Sequence, residues 1–201
     1  LWRHSCCDRL RTMRVMLIDE DPERASQLER ALIAEGHEVA ARLDTQADLI
    51  AAVARHAPEM ILIEVDAPSR DTLESLGSIS RDQPRPIVLF AGQGDADTLR
   101  RAMRAGVSAY VVDGLAPARV QAVMNVAIAR FHEYQALKAE LAEAQTKLAD
   151  RKDVDKAKGI LMQRRNLSEQ QAYEQLRKMA MDRNLKIGDA ARALLAAAEL
   201  L

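Results

Sequence analysis

Two groups of residues in this chain could do chemistry. The first is acidic: Asp19, Glu20 and Asp21 follow one apolar run, Glu64 ends another, Asp66 lies two residues beyond it, and Asp113 follows a third. Carboxylates gathered at strand ends form a hard-oxygen site of the kind that holds Mg²⁺ and positions a phosphoryl group. Asp19, Glu20 and Glu64 are the candidate Mg²⁺ ligands, with Asp66 and Asp113 in the same acidic pocket. Asp21 reads as a helix cap, because Asp at the cap position followed by Pro22 satisfies the first amides of a helix. The second group is basic: Lys156, Lys158, Arg164, Arg165, Arg177, Lys178 and Arg183, with Gly159 and Tyr173 among them. Cations in that density suit phosphates, whereas a solvated helix face would look the same in composition. Gly159 interrupts a stretch that would form a better helix with alanine, so either a ligand comes close there or the glycine eases packing.

The total charge conceals this division. Formal net charge is −1, yet residues 150–201 hold 11 Lys+Arg against 8 Asp+Glu, leaving 18 against 22 in the remainder. A nucleic-acid partner is therefore not excluded by the near-neutral sum. Aromatics are 3%, too few for a base-stacking sheet platform. Hydrophobic residues are 48% and charged residues 29%, the balance of a soluble globular protein, and no run reaches the roughly 18 apolar residues of a spanning helix. Cys6 and Cys7 lie in residues 1–12, an aperiodic extension without the apolar core of a signal peptide. The folded part then has no cysteine, which fits a reducing cytoplasm.

The elements that must position these residues alternate from Met13 onward. Strand-like runs Val15–Ile18, Val39–Leu43, Met60–Val65, Ile87–Phe90 and Tyr110–Val112 are separated by helical stretches near Pro22–Glu35, Asp48–His56, Asp71–Ser80 and Ala96–Ala105. This alternation predicts an α/β fold with a five-stranded parallel sheet whose ligands gather at the carboxyl ends of the strands. His37 and His56 stand at element ends and read as solvated. No nucleophile or glycine-rich phosphate loop accompanies the acidic cluster, so an enzyme is not expected.

A helix starting near Pro117 continues into an a/d seam formed by Tyr134, Leu137, Leu141, Ala144 and Leu148. Two chains should pair along it at residues 131–150, the alternative being one amphipathic helix lying on its own domain. Residues 151–201 read as three short helices, Val154–Arg165, Ser168–Met181 and Ile187–Leu200, the second opened by a capping box of Ser168 and Gln171. Such helices must pack together, through Ile160, Leu161, Leu176, Met179, Ile187, Leu194 and Leu195.

Residues 13–130 resemble the receiver domain of two-component response regulators. The likeness rests on the Asp19-Glu20 pair, the run Pro58-Glu59-Met60-Ile61-Leu62-Ile63-Glu64 with Pro68 after it, and Gly106-Val107-Ser108-Ala109-Tyr110. The fold implied is flavodoxin-like. Where that family has its phosphate-accepting aspartate this chain has Glu64, where it has a Ser/Thr switch Ala91, and where it has a lysine Asp113; Tyr110 matches the second switch position. Glu64 reaches one methylene further, Ala91 offers no hydroxyl, and Asp113 places a negative charge where a cation should stand, so this is a degenerate receiver. Asp66 is the alternative acceptor. With carboxylates converging and no lysine, repulsion should raise a carboxyl pKa or recruit a cation.

Ala157-Lys158-Gly159-Ile160-Leu161-Met162, Asn166-Leu167-Ser168-Glu169-Gln170-Gln171-Ala172-Tyr173, Leu176-Arg177 and Ala180-Met181 resemble the ANTAR domain of AmiR- and NasT-type antitermination regulators, over residues 151–201. The resemblance implies an all-α RNA-binding domain. It implies a cytoplasmic homodimer that binds paired leader-mRNA hairpins and prevents a terminator from forming, so acting on RNA polymerase indirectly, without a membrane. The basic group, with Gly159 and Tyr173, would make the RNA contacts. Nearest to NasT in its motifs, the chain is expected to serve nitrate or nitrite assimilation under a nitrate-sensing partner protein, with no cofactor required and the acidic pocket open to an optional Mg²⁺. The other reading is a phosphorylatable or DNA-binding two-component response regulator.

Overall fold

The structure, a computed structural model, describes residues 12–92, 94–112 and 117–199; the extension before residue 12, Asp113 and Leu200 lie outside them. The chain divides between Tyr134 and Gln135 into two compact units.

In the first unit, strands β1 (Arg14–Asp19), β2 (Glu38–Leu43), β3 (Met60–Val65), β4 (Ile87–Ala91) and β5 (Ala109–Val112) alternate with helices α1 (Pro22–Ala34), α2 (Leu49–His56), α3 (Arg70–Asp82) and α4 (Ala96–Arg104). A 3₁₀ turn at Pro117–Arg119 leads into α5 (Val120–Arg165). The strands are parallel in the order β2-β1-β3-β4-β5. Every residue of β3 and β4 is buried, which is why both read as unbroken apolar runs. The second strand-like run is the weakest because β2 is an edge strand, exposed or half-buried throughout.

Side chains alternate across the sheet into two cores. Met16, Ile18, Ile61, Ile63 and Leu89 pack with α2, α3 and α4; Val15, Leu17, Leu62, Val88 and Phe90 pack with α1 and the start of α5 through Leu28, Leu32, Val120 and Met124. Sequence-readable caps fix the helix starts. Asp21 accepts from the amides of Glu23 and Arg24 with Pro22 at the first helical position, and Asp95 does the same for α4. Gly106 turns α4 into β5 at φ +88°, with Ser80 Oγ 2.0 Å from where a Cβ would stand. His37 is buried, a departure from the solvated reading: its Nδ1 accepts from the Met13 amide at 3.4 Å and its Nε2 lies 2.9 Å from Gln121 Oε1.

The second unit holds the rest of α5, α6 (Glu169–Asp182) and α7 (Ile187–Glu199). The helix expected at Val154–Arg165 and the pairing segment expected at 131–150 have no ends of their own; both lie inside α5, which has no proline and a single glycine along its 46 residues. The capping box is present, Ser168 Oγ accepting from Gln171 N and Gln171 Oε1 from Ser168 N. Leu161 and Leu176 are core residues, with Ile187, Leu194 and Leu195 packed against them, while Ile160 and Met179 are only half-buried. Alanines fill the remainder: Ala157, Ala172, Ala180, Ala190 and Ala191. Small side chains let three short helices approach closely, which a search for large apolar residues overlooks. Arg192 of α7 pairs with Asp150 at 2.5 Å and with Asp189 at 2.6 Å, and the two bonds drive its pKa well up.

Among the described residues no helix is long and apolar enough to cross a membrane.

Candidate functional site

Parallel pairing sets Asp19 at the end of β1 beside Glu64 at the end of β3, at the point where the strand order reverses. Open α/β sheets bind ligands at this point. Both carboxylates are 5% exposed. Between them lies Arg24, from the first turn of α1. Its Nε and Nη2 donate to Asp19 Oδ2 and Oδ1 at 2.9 and 2.6 Å, and its Nε stands 3.2 Å from Glu64 Oε1. The cation that the carboxylates had to recruit is supplied by the chain itself. The bond to Asp19 raises the Arg24 pKa further, so the guanidinium carries its charge at every accessible pH.

Glu20 and Asp66 are not brought in. Glu20 is exposed and accepts from the Thr45 hydroxyl. Asp66 is also exposed, packed beside Gly92, where a Cβ would stand 3.1 Å from Asp66 Oδ1. Asp113 lies outside the described residues. Among the described residues the convergence of Asp19, Glu20 and Glu64 is thus corrected to one pair around an arginine, because Glu20 points to the β2–α2 turn. Among the described residues no group of three His, Cys, Asp or Glu is placed to hold a metal ion. The residues do not fit Mg²⁺ as the fold family holds it, since a guanidinium takes the position between the two carboxylates. Sequence reasoning missed Arg24. Its signal was a basic residue in the first turn of a helix, where the helix dipole disfavours one, five positions after Asp19.

Of the two switch positions, Ala91 is fully buried between Val65 and Val112. Tyr110 is half-buried against the α2–α4 core with its hydroxyl enclosed, and burial raises the phenol pKa, Asp95 adding to it.

In the second unit the basic residues differ in availability. Lys156, Arg165, Arg177, Lys178 and Arg183 are exposed. Lys158 is committed: its Nζ bonds Glu169 Oε1 at 2.7 Å and Asp155 Oδ1 at 2.9 Å, and these bonds, Glu169 first, raise its pKa. It ties the start of α6 to α5. Arg164 donates to the Ala198 carbonyl near the end of α7 at 3.2 Å. Tyr173 is 44% exposed and shares one face of α6 with Gln170 and Arg177, three residues before and four after it. Together with Lys158, Ser168 and Glu169, Gln170 and Tyr173 line an open recess of about 540 Å³. An exposed aromatic with a carboxamide and a guanidinium on one helix face can stack a base, read its edge and hold a phosphate.

Residues 15–125 match the response regulator receiver domain, and residues 142–195 match the ANTAR domain. The chain belongs to the response regulator receiver family and carries an ANTAR domain. It is therefore a response regulator of the ANTAR type. The transcriptional regulatory protein PdtaR of Mycobacterium tuberculosis is 27% identical over 182 residues, 90% of this chain and 89% of that protein. The nitrate regulatory protein of Klebsiella oxytoca is 47% identical over 64 residues, 32% of this chain but 16% of that protein. The signal receiver domain of a modulated diguanylate cyclase from Desulfovibrio desulfuricans superposes with a TM-score of 0.53 at 18% identity, over 61% of this chain and 98% of that domain; this likeness concerns the fold alone.

Along α5 the a/d seam is left uncovered by the described residues. Tyr134, Leu137, Leu141 and Leu148 are each more than half exposed, and Ala144 is exposed with them.

Proposed function

We propose that this chain is an antitermination regulator that binds leader-RNA hairpins as a dimer and whose receiver works without phosphorylation or Mg²⁺. Arg24 carries the regulatory part of this reading. Phosphoryl transfer to a receiver needs an acceptor carboxylate backed by a bound cation, and here Arg24 neutralises Asp19 and Glu64 from within. Glu64 offers a longer side chain in place of aspartate, and Ala91 no hydroxyl for a phosphoryl oxygen. The receiver then serves as an interaction surface, controlled by a partner protein that senses the signal. Four large apolar side chains in a heptad seam support pairing of two α5 helices, since an exposed stripe of that kind is stabilised by a second copy. A cytoplasmic location follows from work on nascent transcripts.

The signal is nitrate or nitrite, received by a separate sensor protein. Supporting this are the NasT-like motifs and the 47% likeness to the nitrate regulatory protein. Deleting the gene should abolish growth on nitrate as nitrogen source; unimpaired growth overturns the assignment.

Two measurements test the mechanism. Incubation with acetyl phosphate and Mg²⁺ should leave the intact mass unchanged, and a stoichiometric acid-labile phosphate on Glu64 or Asp66 would restore the phosphorylatable reading. In transcription of a template with a leader terminator, the unphosphorylated chain should raise read-through and should prefer leader RNA to duplex DNA. Preference for the duplex would establish the DNA-binding alternative.

A further inference from the structure

A cavity of about 290 Å³ opens in the first unit between the β2–α2 turn and the start of α3. It shares no residue with the Asp19–Glu64 pair, although Glu20 and Val65, their chain neighbours, line it. Val65 and Leu49, both buried, give it an apolar patch at the end of β3 and the start of α2. Thr45 and Gln46 enter from the turn, and Asp71, Thr72 and Ser75 from one face of α3, where residues three and four apart are neighbours. Some of these polar groups are already matched. Ser69 Oγ accepts from Thr72 N at 3.0 Å and lies 2.8 Å from Thr72 Oγ1, and the Thr45 hydroxyl donates to Glu20 Oε1. Others have no hydrogen-bond partner among the described residues: Glu20 Oε2, the Asp71 carboxylate, the half-buried Ser75 hydroxyl and the Gln46 carboxamide.

We propose that this cavity binds a small organic cation with primary ammonium groups, paired with Glu20 and Asp71 and hydrogen-bonded by Ser75 and Gln46. The site is independent of RNA and of phosphorylation. Charge decides the class of ligand. Two carboxylates line the cavity and, among the described residues, no Lys, Arg or His does. The neighbouring cations are engaged elsewhere: Arg24 holds Asp19 and Glu64, and Arg70, though attracted to Asp71, bonds Glu74 at 2.6 Å. An anion such as nitrate would face two carboxylates. The start of α3 offers it little, since Ser69 caps one amide and Asp71 already answers the helix dipole. A bare Mg²⁺ is no better served, because no group of three metal-ligating side chains is assembled among the described residues and Mg²⁺ demands near-ideal octahedral oxygens. An ammonium has no such geometric demand. It brings three donors, and every unmatched group here can accept. The methylene chain behind it can lie on Val65 and Leu49. A volume at the lower end of small-molecule sites limits the ligand to a short chain between charges.

The test titrates the full chain, at fixed ionic strength, with diaminobutane, butylamine, butanediol, nitrate and Mg²⁺, following backbone amides by NMR. Diaminobutane should shift the amides of Gln46, Asp71 and Ser75 saturably, with a Kd at or below about 1 mM and at least about fivefold tighter than butylamine. Butanediol and nitrate should leave those amides unmoved. Glu20→Gln and Asp71→Asn should each weaken diaminobutane at least about fivefold, whereas Glu133→Gln, an exposed change outside the cavity, should not. Both cavity positions are exposed, so Tm should stay at the wild-type value, and either variant alone decides. Binding by both variants within about twofold of wild type overturns the proposal, as does the absence of saturation below about 10 mM. Equal affinity for butanediol would make the cavity a neutral-ligand site and overturn it. The same shifts from Mg²⁺ at lower concentration would make it a metal site, and shifts spread over the acidic surface would show charge screening alone; each overturns it.

Discussion

Replacing Arg24 by methionine keeps most of the side-chain volume and removes the charge, leaving Asp19 and Glu64 side by side, each 5% exposed. Wild type holds them with two hydrogen bonds to Asp19 and an ion pair to Glu64. Breaking a buried ion pair by removing one partner costs about 3–5 kcal/mol. Arg24 is one-third exposed, so water can reach part of the space and the loss falls to about 2–3 kcal/mol. For a domain of this size that lowers Tm by on the order of 10 °C. The variant also gains a use for a divalent cation. Mg²⁺ at ten times its dissociation constant would return about 1.4 kcal/mol to the variant and nothing to wild type, whose guanidinium holds the position. Scanning calorimetry with and without Mg²⁺ reads both effects. A variant within about 0.5 kcal/mol of wild type would refute the account of Arg24, as would equal stabilisation of both proteins by Mg²⁺.

Leu141→Lys places a charge in the middle of the exposed seam without touching the buried cores, so light scattering should show a dimer for wild type and a monomer for the variant, with unchanged circular dichroism. Arg177→Ala removes an exposed cation from the Tyr173 face, and filter binding over a salt series should show weaker leader-RNA binding with a slope shallower by about 0.7–0.9; an unchanged slope excludes a phosphate contact. Asp21 and Asp95 have lowered pKa values, Asp21 through the amides of Arg24 and Glu23 and Asp95 through the Thr98 hydroxyl first. Their stabilisation is complete above the ordinary Asp value of 3.8 and disappears as pH falls through the lower folded values. Asp21→Asn, which keeps a capping oxygen, should therefore reduce the dependence of Tm on pH in that acid window, and an unchanged acid limb would refute the cap assignment.

Much of this protein was legible in one dimension because its signals are local. The parallel sheet follows from short apolar runs alternating with amphipathic stretches, and the helix starts from Asp21 and Ser168, whose side chains reach only a few residues ahead. The missing receiver parts at Glu64, Ala91 and Asp113 are also plain from residue type at fixed distances from the strands. Chain direction alone could not decide which side chains meet. Arg24 enters the acidic pair because β1 and β3 are neighbours in register and α1 starts above their ends, a three-dimensional coincidence that no spacing rule encodes. Glu20 leaves that pair because Thr45 lies within reach across the β1–β2 edge. Lys158 and Lys156 have the same side chain two positions apart, yet packing of α6 on α5 commits the first to Glu169 and leaves the second exposed. Sequence determined the folds and the kinds of charge they carry; tertiary structure decided which charges are already neutralised, because an ion pair depends on distance through space.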